Sequence, residues 1–171
     1  MAISFSSTEL INECRYPFRT PNPADTVTTI INELKDTENS IDSAQVNSEV
    51  DELATTKGFF GGTKNARPCL HIKLRDTEVA ELKKFGCIIM PVEFGNLVYL
   101  IKYEYISLGW SFKTKDEMIK DIKVKLNSID KWMEYTFIQT LGDYVYCEML
   151  RKYDKNFDGN LKAYQVFFDI A

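Results

Sequence analysis

Apolar and polar positions along this chain change period part-way. In PNPADTVTTIINELKD (residues 21–36), Val27, Ile30, Ile31 and Leu34 recur at i, i+3, i+4 and i+7, the spacing of one apolar stripe on a helix. Asn22 stands at the capping position, Pro23 at the first helical position and Asp25 in the first turn, so a helix is predicted to open there. A shorter helix is expected before it, around Thr8 to Glu13. The next stretch, TENSIDSAQVNSEVDELATT, has apolar anchors only at Ile41, Val46, Val50 and Leu53, and Glu33 to Glu52 holds seven acids against one Lys. That pattern reads as a solvated helix, a loop or a partner-binding arm.

From Cys69 the period shortens to two. CLHIKLR places Leu70, Ile72 and Leu74 on one face of a strand. His71, Lys73 and Arg75 fall on the other, which is expected to meet solvent. DTEVAELKKFG reads as a short helix stopped by Gly86. CIIMPVEF and LVYLIKYEYISL read as strands joined by a hairpin turn at Gly95-Asn96, with Pro91 marking an edge or a bulge. TKDEMIKDIKVKLNSIDKWM is predicted as one long helix, about residues 114–133, opened by a capping box of Thr114 and Glu117. Its buried stripe would be Met118, Ile122, Leu126, Ile129 and Trp132. Lys113, Lys115, Lys120, Lys123, Lys125 and Lys131 would dress its exposed side, interleaved with acids as an ion-paired surface. YTFIQT, YVYCEMLRKY and YQVFFDI are expected to be strands, from their β-branched and aromatic content.

The predicted fold is α+β. A mostly antiparallel sheet of about five to six strands in residues 69–171 is packed by the helix at about 114–133, and the N-terminal part is helical. The chain divides into an acidic helical region (1–57), a Gly-rich aromatic loop (58–68) and an α+β core (69–171), expected to form one compact domain.

Composition narrows the function classes. The 171 residues are 44% hydrophobic and 27% charged, enough for a core without a metal or disulfide staple. The formal net charge of −4 argues against a dedicated nucleic-acid binder, whose affinity comes from neutralised phosphates. The longest apolar run is broken by Lys102 and Glu104, so no membrane span is expected. MAISFSSTEL has neither the basic nor the apolar stretch of a signal peptide, so a cytoplasmic or intracellular location is expected. Cys14, Cys69, Cys87 and Cys147 show no CxxC spacing and read as reduced, buried thiols.

The motifs with chemistry are few. GFFGGTKNARP holds Gly58, Gly61, Gly62 and Lys64. The order is Gly-Thr-Lys and a strand follows, whereas a phosphate loop opens a helix with Gly-Lys-Ser/Thr. Phe59 and Phe60, set between glycines, need burial against the core or a partner. DKNFDGNL resembles the first half of an EF-hand calcium loop, with Asp154, Asn156 and Asp158 at alternate ligand positions, then Gly159 and Leu161. The last ligand position holds Gln165 instead of a carboxylate, Lys162 stands among the ligands, and the flanks read as strands. The loop is therefore expected to be a hairpin turn at Asp158-Gly159, and no metal or cofactor is predicted. His71 is the one histidine. Same-strand i, i+2 neighbours such as Cys69 and His71 are poorly placed for a nucleophilic pair. The carboxylate pairs Asp116/Glu117, Asp143/Glu148 and Asp154/Asp158 fit caps, turns or solvated faces.

What remains is a non-enzymatic structural or interaction subunit of a larger assembly, with protein partners in a homo- or hetero-oligomer. A virion or phage-particle component of the tail or neck type is one concrete form. Phe59, Phe60, Val46, Val50 and Leu53 are the candidate interface residues. A small regulatory or inhibitor protein with one partner is the alternative, and an enzyme using Cys69/His71 or a carboxylate pair is the third reading.

Overall fold

Strand periodicity begins earlier than predicted. In a computed structural model that describes residues 8–40, 44–51, 66–74, 77–107 and 112–167, the expected N-terminal helix is instead the strand β1 (Thr8–Arg19). Cys14, Tyr16 and Phe18 alternate into the core while Glu13 and Arg15 take the opposite side, a period of two that a helix could not use. The chain continues as α1 (Pro23–Ser40), β2 (Ala44–Asp51), β3 (Ala66–Leu74), a 3-10 turn (Ala80–Lys84), β4 (Phe85–Phe94), β5 (Leu97–Ser107), α2 (Lys115–Lys125), α3 (Ile129–Tyr153), a second 3-10 turn and β6 (Gln165–Phe167).

The molecule is α+β. Its strands form one antiparallel sheet in the order β2-β3-β4-β5-β1-β6. Residues 69–171 contribute β3 to β6, four described strands where five or six were expected. The remaining two, β1 and β2, come from the part predicted to be helical. Within that part α1 is as predicted. The Asp25 amide donates to Asn22 Oδ1 at 3.4 Å, and Ile30 and Leu34 are buried with Val27 packed beside them. The β4–β5 hairpin also forms as predicted, with Gly95 at φ +60° opening its two-residue turn. Pro91 lies in an interior strand, but the described β3–β4 pairing ends at Leu70↔Ile89, so its missing N–H falls past the ladder.

The two faces of the sheet differ. One carries Cys14, Tyr16, Leu70, Ile72, Cys87, Ile89, Val98, Leu100 and Ile106, and onto it pack Ile30 and Leu34 of α1, Met118 and Ile122 of α2, and Tyr146 and Leu150 of α3. The other gathers Cys69, Ile88, Met90, Ile101, Tyr103 and Tyr105, all buried. His71 lies there too and is only 3% exposed, which corrects the expectation of a solvent-facing strand surface.

The long helix predicted at about 114–133 is broken. α2 ends at Lys125, and Ser128 starts α3 by accepting the Lys131 amide at 3.3 Å. YTFIQT and YVYCEMLRKY, expected to be strands, belong to α3. Its 25 residues override local β propensity because Val145, Tyr146, Met149 and Leu150 sit at helical spacing and all reach the core.

Candidate functional site

The inner side of α3 is fixed to the sheet at two points. Gly142 is one: a Cβ there would lie 2.7 Å from Cys87 Sγ, so the absence of a side chain lets the helix approach β4. Tyr146 is the other. Its ring is buried and its hydroxyl donates to the Leu100 carbonyl at 2.6 Å. Between them a polar ladder crosses from helix to sheet. The Lys102 ammonium donates to Asp143 on α3 and to Glu104 Oε1 at 3.2 Å, and Asn12 Nδ2 donates to Glu104 Oε2 at 2.5 Å. Burial works against the charge on Lys102, but Glu104 and Asp143 outweigh it and hold the ammonium above its ordinary pKa. Lys102 is therefore a fixed cation and not a nucleophilic amine. The sequence carried a signal for this cluster. Lys102 and Glu104 share a face with Val98, Leu100 and Ile106 on β5, two charges on an otherwise apolar side.

The outer side of α3 is the less ordinary one. Ile129, Met133, Thr136, Thr140, Asp143 and Cys147 follow one another at intervals of four and three residues, which sets them along one side of the helix. Trp132 and Tyr144 flank that line. Ile129 is 78% exposed, Met133 58%, Trp132 56% and Tyr144 64%. The side runs about 27 Å at 1.5 Å per residue, and its one charged residue, Asp143, binds the Lys102 ammonium that Glu104 shares. Solvent-facing helix sides are normally polar and charged. Ile129 and Trp132 were expected in the buried stripe. The break at Leu126 to Ser128 resets the helical phase, so residues that continue the α2 stripe in sequence turn outward in α3.

Known protein families, curated protein sequences and solved structures contain no match to this chain.

The other predicted sites are placed as follows. Val46 and Val50 lie on β2 at the end of the strand order, in register with Ile72 and Arg67. Leu53, Phe59 and Phe60 lie outside the described residues, as does the Gly-rich loop up to Asn65. His71 Nε2 shares a hydrogen bond with Tyr105 Oη at 2.5 Å, and burial, helped by Lys73, pushes the imidazole down to about 4. It is thus neutral and committed to a tyrosine whose own pKa burial raises. Cys69 is buried on the same face.

DKNFDGNL is not a hairpin turn between strands. It joins α3 to the second 3-10 turn (Lys162–Tyr164). Asp154 caps α3 and accepts from Tyr16 Oη at 2.7 Å and from the Asn156 amide at 3.0 Å. Asp158 accepts from the Asn160 amide at 2.8 Å, and Gly159 takes φ +87°. A cleft of about 400 Å³ beside it is lined by Pro17, Phe18, Arg19, Leu97, Asp154 and Asn156. Among the described residues, no group of three or more His, Cys, Asp or Glu side chains is placed to hold a metal ion.

Members of the carboxylate pairs are bound to other groups. Glu117 closes the capping box with Thr114, Asp143 binds Lys102, and Glu148 binds Arg151 at 2.7 Å. Lys113 and Lys125 pair with Asp121 and Glu81, as an ion-paired surface would, whereas Lys115 is buried. Among the described residues, no helix is long and apolar enough to cross a membrane.

Proposed function

We propose that this chain is a non-enzymatic interaction subunit of a larger protein assembly, and that it binds through the outer side of α3. The observation that carries the reading is the exposed Ile129, Trp132 and Met133 on a side that holds a single charged residue, Asp143. Trp and Met are enriched where proteins meet, and grouped exposed apolar side chains mark interaction sites. The polar groups on which a catalytic reading would rest have structural partners: Lys102 has Glu104 and Asp143, His71 has Tyr105, and Asp154 has Tyr16. A particle component of the tail or neck type is one form such a subunit takes.

The test is isolation of the tagged chain under gentle conditions from cells that express it, followed by native mass spectrometry of what is recovered. Complexes heavier than a single chain are expected, and Met133→Glu should release the chain from them. Recovery of the wild-type chain only as a free 19.8 kDa species would overturn the reading.

A further inference from the structure

On the basis of that interaction role, we infer that the occupant of the outer side of α3 is a second copy of this chain, packed antiparallel to the first. The geometry of the side points this way. Its positions from Ile129 to Cys147 are spaced four, three, four, three, four, a series that reads the same in both directions. Two copies related by a two-fold axis near the middle of the series therefore interleave knob into hole along the whole length. Thr136 then meets Thr140 of the second copy at the centre, where two small hydroxyl side chains let the helices approach. Met133 meets Asp143 of the second copy with the ring of Tyr144 beside it, so that a sulfur–aromatic contact is made twice by symmetry. Ile129 meets Cys147 of the second copy, at both ends.

Each chain carries a formal net charge of −4, but along this line the only charge is the Asp143 carboxylate, held by Lys102. A strongly acidic or basic partner would find nothing here to select it. The area is adequate but small. Four large side chains, each more than half exposed, on a helix side of about 27 Å approach the lower end of the ~800 Å² per partner seen in stable interfaces. The dimer is accordingly one that dissociates in the micromolar range, on the order of 1–100 μM.

The experiment is light scattering behind size exclusion, or sedimentation velocity, on the purified full chain over a micromolar to sub-millimolar series. The average mass should rise from 19.8 kDa towards twice that value. Met133→Glu should hold it at the monomer with an unchanged circular dichroism spectrum and melting temperature, since Met133 is exposed in the single chain. The wild type gives a second readout: alkylation of the half-buried Cys147 should slow as concentration rises. A mass fixed at 19.8 kDa throughout, or a dimer that survives Met133→Glu, overturns self-pairing. If the wild type is monomeric but Met133→Glu still releases it from heavier complexes isolated from cells, self-pairing falls and the interaction role stands. If neither experiment detects association, both fall.

Discussion

Gly86 shows how closely single residues are fitted in this sheet. It pairs with Tyr105 across β4 and β5, and a Cβ at position 86 would lie 2.4 Å from the Tyr105 ring. Tyr105 is buried and bonded to His71, so it has little room to yield. Gly86→Ala should therefore cost about 1–3 kcal/mol, the usual range for overpacking, as a lower urea midpoint at constant slope. Its neighbour His71 gives a pH signature. The folded imidazole titrates at about 4, below its ordinary 6.5, so the unfolded chain binds the proton more readily. The His71 contribution is then fully present above about pH 6.5, is lost as the pH drops towards 4, and changes no further below that, a loss on the order of 3 kcal/mol. Urea unfolding of wild type and His71→Gln across that window should show the wild type losing more by that amount; parallel curves would contradict the assignment.

The helix break and the ladder beneath α3 decide the arrangement of the elements. Lys102 on β5 holds Asp143 on α3, and Glu104 depends on it for charge. Lys102→Met leaves Glu104 buried without its cation and should cost about 3–5 kcal/mol, whereas Lys102→Met combined with Glu104→Leu should recover most of that. A double variant as unstable as the sum of two independent losses would show that the ladder is not a unit. Elements whose signals lie within a few residues were legible in the sequence. The Asn22-Pro23 start of α1, the Gly95-Asn96 hairpin and the Thr114–Glu117 capping box each write their own geometry locally. Elements settled by distant contacts were not. Tyr135 and Phe137 would suit a strand, but Ser128 caps a helix that runs through them because Val145 to Leu150 have a sheet to cover. β1 reads as polar and mixed until β5 is placed beside it, at Cys14↔Lys102 and Tyr16↔Leu100. For the same reason the outer side of α3 was invisible. Without the phase reset at Ser128, Ile129 and Trp132 look like core.

At the scale of the whole molecule, helices cover one face of a sheet whose order departs from sequence order. β1 is early in the chain and interior in the sheet, between β5 and β6. Asn12 and Glu104, bonded in the native fold, are 92 residues apart. That separation has a consequence in time. During synthesis at about 5–20 residues per second, β1 leaves the ribosome roughly 5–20 s before the strand that will pair with it. Throughout that interval β1 lacks the partner strand β5. Nascent chains arrested before Leu97 should leave Arg15 and Arg19 open to trypsin, and chains long enough for Ser107 to have left the ribosome should protect them. This protein is thus exposed during its own birth to holdase chaperones and to neighbouring copies on the same messenger, a vulnerability set by strand order and not by final stability.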